Sequence, residues 1–171
     1  TTYNINNNIK IDFEKKRIKL PKIKTWIKFS DDRIFIEKIK HITVSRAKSG
    51  KYYVSILVER ELSVEPLKEI LRENVIGFDM SAKDFLINYQ FRFVNKRFYR
   101  KNERKLRKYH RNVSRKKNES NNRNKARIKL ARLYDKIGFQ KFDWVHKTTH
   151  FLSTMYDAII LEDLCIKGMQ K

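Results

Sequence analysis

Two hydrophobic periods divide this chain. Through Val94, apolar and polar residues alternate or gather in short runs; from Phe98 onward, apolar residues recur at three- and four-residue spacing. The first pattern predicts strands and the second predicts helices. Ile9-Lys10-Ile11-Asp12-Phe13 and Arg17-Ile18-Lys19-Leu20 alternate as half-buried strands do, and Pro21 then ends the second or places it at an edge. Trp26-Ile27-Lys28-Phe29 and Ile34-Phe35-Ile36 continue the series. The clearest hairpin runs in through His41-Ile42-Thr43-Val44-Ser45, turns at Lys48-Ser49-Gly50, and runs out through Tyr52 to Val58. Short strands at this spacing predict a small barrel-like domain or curved sheet over residues 1–64.

Leu62 to Asn74 reads as a linker followed by a short helix, with Pro66 in its first turn. Three strands follow: Val75-Ile76-Gly77-Phe78, Lys83 to Tyr89, and Phe91-Arg92-Phe93-Val94. Phe98, Leu106, Tyr109 and Val113 then mark one side of a helix. A polar loop over 114–124 separates it from a second helix carrying Ala126, Leu130, Leu133, Ile137, Trp144, Phe151 and Met155, with Gly138 as a point of bending. The two helices are expected to pair as a hairpin over 97–156 inside a second domain, 65–171.

Composition gives these elements a partner. The 171 residues hold 41 Lys+Arg against 19 Asp+Glu, a net charge of +22, which calls for a polyanion. The excess concentrates in the helices, where residues 96–147 hold 20 basic and 4 acidic side chains. Arg97, Arg100, Lys101, Arg104, Lys105, Arg107, Lys108, Arg111, Arg115, Lys116, Lys117, Arg123, Lys125 and Arg127 are the candidate nucleic-acid contacts. The strand lysines of the first domain read either as phosphate contacts or as a solvated, edge-protecting face. No apolar run reaches the length of a membrane span, so no membrane partner is expected. One cysteine, Cys165, excludes an internal disulfide and a multi-cysteine zinc site within these residues. The chain begins at Thr1 with neither a leader pattern nor an initiator Met; we read it as a fragment or processed chain of cytoplasmic residence.

Two apolar runs end in carboxylates: Val75-Ile76-Gly77-Phe78 in Asp79, and Ala158-Ile159-Ile160-Leu161 in Glu162. A charge directly after a buried strand needs a partner or a metal. Carboxylates converging on one or two Mg²⁺ (or Mn²⁺) ions are what metal-assisted phosphodiester cleavage requires. The alternative is that both cap loops or pair with lysines. Asp163 would face the other side of a continuing strand, and Asp84 would face solvent. His146 and His150, four apart, lack a third ligand nearby; His41 and His110 have no constellation around them. No Gly-rich phosphate loop and no need for a small-molecule cofactor is visible.

Ile76-Gly77-Phe78-Asp79-Met80-Ser81 with Lys83-Asp84-Phe85, then Arg97-Phe98-Tyr99-Arg100, Asn122-Arg123-Asn124-Lys125-Ala126-Arg127 and Leu161-Glu162-Asp163-Leu164-Cys165, resembles the TnpB (OrfB) proteins of insertion sequences. Gly50-Lys51-Tyr52-Tyr53-Val54 resembles that family's β-rich domain, so the likeness covers nearly the whole chain. The resemblance implies an RNA-guided DNA endonuclease related to type V CRISPR effectors, with guide RNA and target DNA as partners. It implies an α+β or α/β architecture: a β-rich wedge domain, then a partial RuvC-like domain of RNase H fold with the helical hairpin inserted. It implies Asp79 as the first catalytic, metal-binding carboxylate and Glu162 as the second. A third aspartate and a four-cysteine zinc module would lie beyond Lys171, and the family's N-terminal helical portion before Thr1. The position of Ser81 is often Gly in the family. On this basis the chain alone is expected to cut DNA poorly; a relative that only binds RNA or DNA is the second reading, and a strand-joining transposase a third.

Overall fold

The computed structural model describes residues 2–4, 9–30, 33–61, 69–81 and 83–163. It is a mixed α/β chain of two compact units, Thr1–Glu65 and Pro66–Lys171. No helix among the described residues is long and apolar enough to cross a membrane.

Among the described residues the first unit has the strands β1 (Thr2–Asn4), β2 (Lys10–Asp12), β3 (Arg17–Lys19), β4 (Ile27–Lys28), β5 (Lys38–Arg46) and β6 (Tyr52–Glu59). They form two three-stranded antiparallel sheets, in the orders β1-β5-β6 and β2-β3-β4. Alternation explains the core. Ile18 and Ile42 point inward from their strands, with Leu20 just past β3, and Ile9, Ile11, Val44 and Ile56 pack around them. Gly50 sits at φ +84 in the β5–β6 turn, where an L side chain would be strained.

Two expectations fail here. The strands do not close a barrel among the described residues; they stay as two sheets facing one small core. Ile34-Phe35-Ile36 is not a strand, and Ile34 and Ile36 are 75% and 98% exposed. Alternation there finds no partner strand, and Phe35 instead sets its ring edge against Phe13, centroids 5.0 Å apart.

In the second unit the described residues start at Glu69 and make a 3-10 turn at Arg72–Asn74; the expected short helix with Pro66 in its first turn falls largely on residues 62–68, outside the described residues. β7 (Val75–Phe78), β8 (Asp84–Ile87) and β9 (Arg92–Val94) follow, then α1 (Phe98–Ser114), α2 (Asn121–Met155) and β10 (Ala158–Leu161). β10 returns parallel to β7, and β8 pairs antiparallel with β9. Reciprocal backbone hydrogen bonds between Asp79 and Ile87, of 2.9 and 3.0 Å, join the two pairs. The strands therefore run in the order β10-β7-β8-β9.

Ile76, Phe78 and Leu86 form the sheet's buried face, closed by Leu152 of α2. Leu106 of α1 packs on Leu133 and Ile137 of α2 to make the hairpin seam. Ser120 caps α2, its hydroxyl accepting from the backbone N–H of Arg123 at 3.2 Å. The helix runs without a break through Gly138. The seam drifts in its second half: Thr148 and Leu152 are buried, whereas Phe151 and Met155 are 42% and 50% exposed. Phe151 still lays its ring against Phe91 and Phe93, at 5.8 and 6.3 Å.

Candidate functional site

Asp79 and Glu162 each stand one residue beyond a strand. β7 and β10 are parallel and in register, with Phe78 opposite Leu161, so the two carboxylate-bearing residues leave the same end of the sheet side by side. Neighbouring strands lie about 4.8 Å apart, which puts the two backbones within reach of one ion. Both residues are exposed. Neither carboxylate accepts a hydrogen bond or pairs with a cation among the described residues, so the reading in which they merely pair with nearby lysines finds no lysine there.

The register is held from both ends. At the start of the strands, Asn74 Nδ2 donates to Asp157 Oδ2 at 2.7 Å, and the Asp157 N–H donates to the Asn74 carbonyl at 3.0 Å. At the far end, Ser81 makes a tight turn with Asp84. Its hydroxyl accepts from the Asp84 N–H at 2.9 Å, and its own N–H donates to the Asp84 carbonyl at 3.0 Å. Asn88 steadies the next turn: its Oδ1 accepts from the Gln90 and Phe91 N–H groups, and its amide donates to the Gly77 carbonyl. A Cβ added at Gly77 would meet no atom within 4 Å, so the strand leaves open space beside the site.

Asp84 does not face solvent. It is 6% exposed and receives Arg92 in a forked pair, Nε to Oδ1 at 3.0 Å and a terminal nitrogen to Oδ2 at 3.1 Å. The hydrogen bond to Asp84 raises the Arg92 guanidinium above its ordinary value. Asp84 is a fixed strut under the Asp79 turn, each of its carboxylate oxygens accepting a bond from Arg92. Asp163 lies past the end of β10, which stops at Leu161, so strand alternation does not orient it. A sequence cue for the Asp84–Arg92 pair was available in the hairpin spacing of Lys83–Tyr89 against Phe91–Val94, but burial was not.

Two carboxylates fit a hard divalent cation. Mg²⁺ takes oxygen ligands and is commonly held by one or two protein carboxylates while keeping water. Among the described residues no three of His, Cys, Asp and Glu converge on one point. The histidines go elsewhere. His146 meets Phe142 edge to face, ring centroids 4.1 Å apart, and His110 Nε2 meets the Tyr134 hydroxyl at 2.8 Å across the helical hairpin, a partner that the sequence did not reveal.

The hairpin presents its cations outward. All fourteen candidate contacts are exposed except Lys116 and Arg123, which are half-buried. Arg123 is committed to the loop between the helices, donating to the Lys116 carbonyl at 3.2 Å and to Asn118 Oδ1. Arg97 occupies the left-handed region, φ 48, where the chain leaves β9 and enters α1. Arg107 pairs with Glu103 one turn away; Lys105 lies over the Tyr109 ring at 5.8 Å.

A mixed α/β chain that combines an outward-facing cationic helical hairpin with two unpaired carboxylates has the chemistry that a phosphodiester substrate calls for. Its relatives share that theme. The OrfB_IS605 family model, described as "Probable transposase", matches residues 54–171. The chain is 34% identical over 166 residues to "Putative RNA-guided DNA endonuclease InsQ" of Escherichia coli (strain K12), covering 95% of this chain and 40% of that protein. It is 30% identical over 131 residues to a protein of the same description, without the InsQ name, from Streptomyces pristinaespiralis, covering 76% of this chain and 32% of the relative. The chain belongs to the OrfB_IS605 family, the TnpB (OrfB) proteins of insertion sequences. It spans about two fifths of the length of the E. coli relative.

Proposed function

We propose that this chain is the guide-gripping and carboxylate-bearing part of an RNA-guided, metal-dependent DNA endonuclease with a RuvC-like centre. The observation that carries the reading is the parallel, in-register pairing of β7 with β10, which brings Asp79 and Glu162 to one sheet end, with no cation among the described residues paired to either. The strand order β10-β7-β8-β9, with only β10 parallel to β7, agrees with the opening of an RNase H fold.

In this reading Asp79 and Glu162 hold Mg²⁺ or Mn²⁺, and Asp84, tied to Arg92, keeps the Asp79 turn in place. The bound ion supplies Lewis-acid polarisation of the scissile phosphate and of water. The hairpin cations neutralise the backbones of guide RNA and target DNA, while base pairing reads the sequence. That no three candidate ligands gather among the described residues favours as a second reading a chain that binds nucleic acid without cutting it.

A mobility-shift titration against RNA and duplex DNA, in salt rising from about 50 to 200 mM, tests the binding half. Six or more phosphate contacts predict a loss of about a thousand-fold in affinity across that range. Affinity that does not move with salt would overturn it. Incubation with Mg²⁺, guide RNA and target DNA separates the two readings: guided cuts that disappear with EDTA support the nuclease, and salt-sensitive binding without cuts supports the binder.

A further inference from the structure

We infer that two copies of this chain pair through the outer edge of β6, antiparallel and in a twofold register centred on Ser55. The inference goes beyond the proposed function and does not depend on it.

β6 is the last strand of the β1-β5-β6 sheet, so one of its edges faces away from β5. The turn before it fixes which backbone groups lie on that edge. The Ala47 N–H donates to the Lys51 carbonyl at 2.9 Å and the Gly50 N–H to the Ala47 carbonyl at 3.0 Å, which makes Ala47 and Lys51 a bonded pair. Bonded and non-bonded pairs alternate along an antiparallel ladder. Tyr53 with Ser45 and Ser55 with Thr43 are therefore the bonded pairs toward β5, and the N–H and C=O groups of Tyr52, Val54 and Ile56 point outward. Among the described residues no backbone group answers them.

Open edges are ordinarily defended by charge, by proline or by shortness. The opposite edge strand, β1, is three residues long. β2, β3, β4 and β5 each carry a lysine. β6 has none of these defences: from Tyr52 to Val58 it holds no charge, no Pro and no Gly. Tyr52, Tyr53, Val54 and Leu57 are 66%, 42%, 38% and 46% exposed, so the undefended edge is also apolar on both faces.

The strand's own sequence names the occupant. Lys51 stands before it and Glu59 ends it. An antiparallel copy sets these opposite charges together, whereas a parallel copy in register sets like charges together. Outward groups must meet outward groups, which pairs even-numbered residues with even-numbered ones. With Ser55 opposite its own copy, Val54 exchanges bonds with the second copy's Ile56, Tyr53 meets Leu57, and Tyr52 meets Val58, each twice. Aromatic and β-branched pairs of this kind stabilise a sheet. Lys51 then lies opposite Glu59, which accepts from Lys40 on one oxygen at 2.9 Å and keeps 53% of its side chain exposed. The neighbouring allowed registers set Lys51 against Leu57, or Glu59 against Tyr53. One long edge per copy closes the assembly at two.

Sedimentation velocity on the whole chain, freed of nucleic acid, tests this. Two chains of +22 repel each other, so it is run in about 0.3 M salt, where the Debye length is about 6 Å. The parent should show a monomer–dimer equilibrium in the micromolar range. Ser55→Lys sets two lysines together on the axis and should weaken the dimer at least about ten-fold, as should Ser55→Glu. An equal mixture of these two variants should restore the dimer. Lys51→Glu and Glu59→Lys form a second arm at the ends of the strand: each alone should weaken the dimer and their mixture should restore it, so a variant that fails to fold by circular dichroism leaves the other arm standing. In the parent, the Val54 and Ile56 amides should exchange with solvent more slowly at concentrations where the dimer forms than on dilution. A parent that stays monomeric overturns the inference, and protected Val54 and Ile56 amides in that monomer would place another segment of the chain on the edge. A dimer indifferent to Ser55→Lys, mixtures no tighter than their components, or assemblies growing beyond two copies also overturn it. None of these outcomes touches the proposed function.

Discussion

Asn74 and Asp157, 83 residues apart, are joined by two hydrogen bonds: side chain to side chain at 2.7 Å and Asp157 N–H to Asn74 carbonyl at 3.0 Å. This clamp starts β7 and β10 level, so that Phe78 ends opposite Leu161 and the two carboxylates follow together. A one-residue slip would displace one strand end from the other by about 3.3 Å and carry one carboxylate past its neighbour. Asn74→Ala should cost about 1 kcal/mol in urea unfolding. It should also weaken divalent-ion binding more than an Asn88→Ala change of similar stability cost, if register is what the clamp controls.

Asp84 and Arg92 form a pair with one buried end: the Asp84 side chain is 8% exposed and that of Arg92 54%. Removing the aspartate leaves Arg92 able to reach water, so the cost is below that of a fully buried pair. Asp84→Ala should destabilise by about 1–3 kcal/mol through the lost forked bonds to Arg92. Arg92→Ala should cost as much or more, because it leaves a buried carboxylate alone. Chemical denaturation checks the order; a larger cost for the aspartate variant would contradict it.

Leu152 and Phe151 test the phase of α2. Leu152 is 2% exposed beneath the sheet, and Phe151 is 42% exposed. Leu152→Ala should cost about 2–5 kcal/mol, and Phe151→Ala clearly less. The reverse ranking would restore the seam expected from spacing alone.

Acid should loosen the β2–β3 hairpin. A hydrogen bond from the Lys15 N–H, with help from Arg17, lowers the Asp12 carboxyl below its ordinary 3.8. The ionised form is favoured in the folded chain, so its stabilising contribution is complete above about pH 4. That contribution is lost as pH falls through the lowered value. Circular dichroism melts at pH 5 and pH 2.5 should show a smaller acid loss for Asp12→Asn than for the parent.

Much of this was legible in the chain because local pattern carries it. The hairpin at Gly50, the three strands around Asp79 and both long helices follow from alternation, turn residues and helical spacing. The adjacent carboxylates were legible because each closes an apolar run. What was hidden depends on contacts distant in sequence. Asp84 looks like an exposed strand residue until Arg92 folds onto it, and His110 acquires Tyr134 only when the helices pair. Ile34 and Ile36 alternate like a strand, yet among the described residues no neighbour supplies their ladder. The helix seam was misphased past Ile137 because an ideal helix advances 3.6 residues per turn, and small errors accumulate over 35 residues.

The central claim is that Asp79 and Glu162 share one divalent ion, and Mn²⁺ titration followed by electron paramagnetic resonance tests it most directly. The account predicts one Mn²⁺ bound per chain, displaced by excess Mg²⁺. It predicts at least ten-fold weaker binding in either Asp79→Asn or Glu162→Gln, with no further loss on combining them and with unfolding midpoints near that of the parent. Equal Mn²⁺ binding by the parent and both variants, or none by the folded parent, would contradict it.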